Sequence, residues 1–330
     1  MDILFLGTSS GAPTNKRNVS GTALITGHER DWILVDCGEG TQHQILKTPL
    51  ALGTLAAICI THVHGDHCFG LFGLLASAGM GKRDTPLLII APAEIQQMVD
   101  MVLRLSDSHL PYPIRWLDVT TLEQSVEVAG VAISRHELSH RVPSYAYRFT
   151  ELHISSALDV EKLHADHIPQ GKAWGTLQKG IDVVLPDGRQ IAAVDYQLPR
   201  RAPRQVIIAG DNDTPDLLKD AAVGTHLLVH EATYNAEIGE GRGKQWRHSD
   251  AARVARFAQA TQIPNVVLMH FSARFGDDSS RSPHIGDLAQ EAQALYSGRL
   301  FMAQDFARYH LSTDGVLQLA GVTHTPAHVV

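Results

Sequence analysis

The segment Thr61-His62-Val63-His64-Gly65-Asp66-His67 gathers three histidines and an aspartate into six positions, directly after the apolar run 55–61. A short, continuous apolar run of this kind reads as a buried strand, and residues 69–78 behind it read as a helix. Alternate residues of an extended stretch point the same way, so His62 and His64 can share one ion. As the chain turns, Asp66 and His67 can face a neighbouring position. Imidazole and carboxylate donors suit zinc, which takes three or four such ligands and leaves room for water. The alternative is four polar residues in a surface loop, and that density of donor atoms at a strand end argues against it.

Outward from this segment, the 330-residue chain alternates short β-rich runs with amphipathic stretches, and its 44% hydrophobic content is ample for one large core. Strands are expected at 2–7, 22–26, 32–36, 87–91, 126–136 and 145–149, with a helix at 93–105. The second half continues with strands at 205–209, 226–230 and 265–270 and helices at 216–222, 250–260 and 287–297. Such alternation predicts an α/β fold with helices packed on both faces of sheets. The candidate chemistry repeatedly falls at carboxyl ends of strands, where open α/β sheets build their sites.

Between 151 and 204 the periodicity weakens and Gly, Pro and charged residues collect, as in Pro169-Gln170-Gly171 and Pro186-Asp187-Gly188. This stretch reads as an insertion projecting from a single domain spanning 1–330, with one short helix at 158–163. The tail 323–330 is expected to be disordered.

No apolar run is long enough to span a bilayer, and Met1-Asp2-Ile3-Leu4-Phe5-Leu6-Gly7 lacks the basic stretch of a secretory signal. With three unpatterned cysteines (Cys37, Cys59, Cys68), a cytoplasmic location with free thiols is expected. A net charge of −7 supplies no basic footprint for nucleic acid, although a local patch and bound cations can outweigh the global sum.

His-x-His-x-Asp-His resembles the signature of the metallo-β-lactamase superfamily, whose fold is an αββα sandwich with a dinuclear site. The resemblance implies further ligands at later strand ends. His140 is available there, with His136 as a competitor; Asp211, with Asp213 and Asp216 as competitors; and His270. By this resemblance His62, His64 and His140 hold one zinc, Asp66, His67 and His270 the other, and Asp211 bridges them. Asp36, in Asp36-Cys37-Gly38-Glu39-Gly40, stands where the superfamily carries a supporting aspartate. Manganese or iron could use the same ligands. Two metals can generate a bridging hydroxide nucleophile at neutral pH and stabilise charge on phosphoryl oxygens.

Phe5-Leu6-Gly7-Thr8-Ser9-Ser10-Gly11-Ala12-Pro13, Asp36 to Gln44, His230-Glu231-Ala232-Thr233, His248-Ser249-Asp250 and His270 to Phe275 together resemble the ribonuclease Z family. That resemblance implies an endoribonuclease that removes the 3′ trailer of transfer RNA precursors, active on small phosphodiesters as model substrates and assembled as a homodimer. It makes Asp66, Glu231 and His248 the catalytic residues: Asp66 orients the attacking hydroxide, and His248, charged by Glu231, protonates the leaving 3′ oxygen. Ser249 and Asp250 also read as a helix cap. Lys16, Arg17 and Asn18 would meet a phosphate or 3′ nucleotide. The insertion 151–204 corresponds to a flexible RNA-gripping arm, with Lys172 and Lys179 among its phosphate contacts. Trp174 could pack this arm or stack on RNA, with packing favoured, and His164 and His167, spaced like a ligand pair on a helix, read as solvated.

The chain departs from that pattern at Asn15, Asn212 and Asp250, and it lacks a Gly-Pro pair in the arm. None of these removes a ligand or the proton donor; they bear on substrate recognition. The competing expectation is a small-molecule hydrolase of the same fold, acting on an aryl sulfate, cyclic phosphodiester or lactone.

Overall fold

The computed structural model describes residues 1–322 apart from His28, Glu29, His153 and Ser279, and all of these but the side chain of Arg242. The disorder expected at 323–330 lies outside the described residues. Met1–Thr150 and Arg204–Val330 make one compact unit, and Glu151–Pro203 a second.

The first unit holds two large sheets and a two-stranded one, Ser9–Ser10 with Phe271–Ser272. One has eight strands in the spatial order Leu317–Val322, Ala307–Leu311, Asp2–Gly7, Gly21–Ile25, Trp32–Val35, Leu55–Cys59, Leu87–Ala91 and Ile114–Asp118. The other has seven: Arg299–Met302, Asn265–Met269, Leu227–Glu231, Gln205–Ala209, Ser144–Glu151, Val131–Leu138 and Val126–Val128. Their apolar runs are continuous because both faces are covered. Ile3 and Phe5 pack against the facing sheet, whereas Leu4 and Leu6 pack under the helices Leu71–Met80 and Ala93–Leu105. In the second sheet Val206 and Ile208 face inward, and Ile207 and Ala209 meet the helices Ala251–Ala260 and Ile285–Gln293. The result is the αββα sandwich expected. Among the described residues no helix is long and apolar enough to cross a membrane.

Several elements differ from expectation. The strand expected at 126–136 is a hairpin, Val126–Val128 and Val131–Leu138. Ala129 and Gly130 both take positive φ at its turn, a tight reversal that Ala129 does not announce. The helix expected at 69–78 runs over Leu71–Met80 and is separated by a break from a short turn of helix before it, Gly65–Cys68. The break falls at Gly70, where a Cβ would lie 2.1 Å from the Gly38 carbonyl oxygen. This approach seats the Asp36–Gly40 stretch against the metal segment. The helix at 216–222 contracts to one 3-10 turn, Pro215–Leu218.

Glu151–Pro203 is also more ordered than its composition suggests. It contains two short helices, Val160–Ala165 and Lys172–Gln178, and two small sheets, around a core that includes Leu163, Ile168, Leu177, Leu185, Ile191 and Tyr196. Asp159 caps the first helix by accepting from the Lys162 amide at 3.0 Å. Trp174 donates its indole N–H to the Ile168 carbonyl at 3.1 Å, so it packs this unit as expected.

Candidate metal centre and active site

Packing in the first unit fixes where strands end. Tyr147, fully buried, reaches across the core and donates its hydroxyl to the Ile60 carbonyl at 2.8 Å, two residues before His62. Around this point lie the ends of Trp32–Val35, Leu55–Cys59, Val131–Leu138, Gln205–Ala209, Leu227–Glu231 and Asn265–Met269. They deliver all seven expected ligands to one place.

His64 Nδ1 lies 3.1 Å from His62 Nε2 and 3.2 Å from His140 Nε2. His67 Nε2 lies 3.2 Å from His270 Nε2, and Asp66 Oδ2 is 3.6 and 3.4 Å from those two atoms. Asp211 stands between the groups. Its Oδ2 is 3.7 Å from His62 and His140 Nε2, and its Oδ1 is 3.4 and 3.3 Å from His67 and His270 Nε2. A tetrahedral zinc with Zn–N bonds of about 2.0–2.1 Å sets neighbouring donor atoms roughly 3.3 Å apart. The donor spacing therefore fits two such ions, with one Asp211 oxygen directed at each.

The outer ring nitrogens explain the orientation, and the network assigns the tautomers. Asp36 accepts from His67 Nδ1 at 2.7 Å and from the Thr61 hydroxyl and amide at 2.9 and 2.8 Å. The Thr61 oxygen in turn receives His62 Nδ1–H at 3.0 Å. Thr233 plays the same part opposite, donating to Glu231 and receiving His270 Nδ1–H at 2.9 Å. His140 Nδ1 donates to the Arg247 carbonyl at 2.8 Å. With their outer N–H groups committed, His62, His67, His140 and His270 direct Nε2 lone pairs inward, as metal ligation requires.

Electrostatics favour the same occupant. Burial lowers the pKa of His62 and His64, and neighbouring imidazoles lower it further against the pull of Asp211, which favours the ring form that carries a free lone pair. Burial opposes charge on His67 too, but Asp211, Asp66 and Asp36 outweigh it and raise its pKa. The three carboxylates thus create a demand for positive charge that a divalent cation meets.

Beside this cluster, His248 Nδ1 lies 3.1 Å from both oxygens of Glu231. The Asn212 amide donates to Glu231 at 2.7 Å, and the Ser249 hydroxyl donates to the Asn212 carbonyl at 2.6 Å. Burial disfavours the His248 imidazolium, yet Glu231 and Asp211 lift its pKa to about 9. Asp250 caps the following helix by accepting from the Arg253 amide at 2.8 Å. A cavity of about 500 Å³ opens over His64, Asp66, Asp211, His248 and His270.

The competitors fall away. His136 lies on the strand Val131–Leu138 outside the cluster, and Asp213 bonds the Thr214 hydroxyl at 2.7 Å. The loop at 16–18 differs from expectation. Lys16 is exposed, but Arg17 is buried, donating to Asp277 and to the Phe275 carbonyl at 2.6 Å each. Asn18 donates its amide N–H to Asp305 and its side chain to the Glu39 carbonyl. These two residues brace the loop through those contacts. Lys172 and Lys179 are exposed on the second unit. Sequence reasoning assigned no role to Thr61, Thr233 or the Gly11 amide, which donates to Asp66 at 2.7 Å. The only sequence signal for the threonines is their position beside the histidine motifs.

Solved structures share this architecture. Human tRNase Z, short form, is 24% identical with a TM-score of 0.64, covering 94% of this chain and 100% of that one. The metallo-beta-lactamase fold protein YhfI from Bacillus subtilis is 18% identical with a TM-score of 0.63, covering 93% and 97%. A family model described as Anti-Pycsar protein Apyc1 matches residues 1–162. Fold and donor arrangement define a protein of the metallo-β-lactamase fold with a candidate metal centre. Over 321 residues the chain is 51% identical to Ribonuclease Z of Pseudomonas putida (strain GB-1), covering 97% of this chain and 100% of that protein. It belongs to the ribonuclease Z family, and is an endoribonuclease of that type.

Proposed function

We propose that this chain removes the 3′ trailer of transfer RNA precursors as a cytoplasmic, homodimeric enzyme holding two zinc ions, with manganese or iron as possible substitutes. The observation that carries the reading is the pairing of Asp211, whose two oxygens face separate histidine groups, with the adjoining His248–Glu231 dyad. His62, His64 and His140 would hold one ion, Asp66, His67 and His270 the other, and Asp211 both. When bound, the pair supplies Lewis acidity toward phosphoryl oxygens and an activated water at neutral pH.

The chain's own residues do the rest. Asp66, fixed by the Gly11 amide, orients the attacking water on the cavity floor. His248, kept protonated by Glu231, donates its proton to the 3′ oxygen that leaves. Because Nδ1 is turned to Glu231, Nε2 is the donating atom. Lys16 contributes a phosphate contact near the site, and Lys172 and Lys179 contact the RNA body from the second unit.

The test is incubation of the zinc-loaded protein with a transfer RNA precursor bearing a 3′ trailer. Release of the intact trailer is expected. No cleavage, alongside fast turnover of a small phosphodiester, would instead assign the chain a small-molecule substrate.

A further inference from the structure

Two side chains at the cavity rim take no part in the chemistry above. Arg141 follows His140, and Trp246 precedes His248 by two positions. The two stretches are stitched together: His140 Nδ1 donates to the Arg247 carbonyl at 2.8 Å, and Arg247 Nη1 donates back to the His140 carbonyl at 2.9 Å. Arg247 takes φ of 55°, reversing the chain between Trp246 and His248. His248 thereby turns toward Glu231 while Trp246 stays at the mouth, 40% exposed. The Arg141 guanidinium lies 4.7 Å from the centroid of the Trp246 ring. Both line the cavity that contains Asp211 and His248. Among the described residues no carboxylate lies within ion-pair distance of Arg141, whose described partner is the Trp246 ring.

We propose that Arg141 and Trp246 form a stacking platform for the last nucleotide of the processed product, the one whose 3′ oxygen leaves. The inference rests on the proposed reaction and on His248 as proton donor. The leaving oxygen must lie within hydrogen-bond reach of His248, so the nucleotide carrying it occupies the side of the cavity that Trp246 borders. Every base presents a π face, and a flat guanidinium already laid on an indole is ordered before RNA arrives. The platform therefore binds that base by stacking, with little preference for its identity, while the Arg141 charge attracts the neighbouring phosphate.

The test uses precursors with an abasic site at the last product nucleotide or at the first trailer nucleotide. For the unaltered enzyme the first lesion is expected to raise KM about tenfold, within the range of a lost stack, and the second to change it by less than about twofold. Trp246→Ala raises KM about tenfold on intact RNA, with a smaller change in kcat, and adds no further penalty with the product-side lesion. Trp246→Phe restores the lesion sensitivity. Arg141→Ala, an independent variant at an exposed position, raises KM and flattens its salt dependence by about one unit of slope. Additive penalties from Trp246→Ala and the product-side lesion would overturn the proposal, as would coupling to the trailer-side lesion instead. Failure of the unaltered enzyme to cleave any precursor would overturn the proposed function first, and this platform with it.

Discussion

Nδ1 of His248 lies 3.1 Å from each oxygen of Glu231, so one carboxylate aims the imidazole and, with Asp211, raises its pKa against the effect of burial. Glu231 is itself held by the Asn212 amide and the Thr233 hydroxyl, on the same threonine that orients His270. The His248–Glu231 dyad and the candidate metal ligands therefore share one supporting network through Thr233 and Asn212.

His248→Ala should slow precursor cleavage by a factor on the order of 10² to 10⁴, the usual scale for a lost general acid, while metal content stays at two ions per chain. Single-turnover rates and metal analysis check this. Loss of an ion would make His248 a ligand rather than a proton donor.

Asp211 and His140 should behave differently on substitution. His140 faces only one group of histidines, so His140→Ala is expected to leave close to one ion per chain. Asp211 faces both, and Asp211→Ala should deplete both sites. Equal stoichiometry in the two variants would contradict the bridging assignment.

Glu151–Pro203 has its own core, so its replacement by a short linker should leave the first unit folded. Hydrolysis of a small phosphodiester is expected to persist, and affinity for precursor RNA to fall at least tenfold. Parallel loss of both activities would show that the segment supports the catalytic unit instead.

Asp305 provides a pH prediction away from the metal site. Burial pushes its carboxyl up to about 6, against hydrogen bonds from Thr8, Asn18 and Gln44. A carboxyl raised in the folded state favours folding most below the unfolded pKa near 4, and that contribution is lost as pH rises through about 6. The loss corresponds to roughly 2–3 kcal/mol. Asp305→Asn, which cannot ionise, should compare worst with the natural protein near pH 4 and improve relative to it up to pH 8. Parallel melting curves across that range would refute it.

The candidate donors are legible in the sequence because four of them fall within six positions, and the family resemblance points to strand ends for the rest. It misjudged residues whose role depends on distant partners. Arg17 reads as a free cation in a loop, yet Asp277, 260 positions away, claims it. Thr61 and Thr233 read as ordinary strand-end hydroxyls, since nothing local shows that each must pass a hydrogen bond between a histidine and a carboxylate. The core of Glu151–Pro203 escaped notice because its apolar residues sit one or two to each short element, too few to establish a period.

The candidate ligands run from His62, just past a strand of one sheet, to His270, just past the strand next to the edge of the other. During synthesis, more than 200 residues separate the first candidate ligand from the last, so strands of both sheets must be in place before the last imidazole reaches its station. A chain cut short of His270 can present a few histidines to passing ions, but not the full donor set.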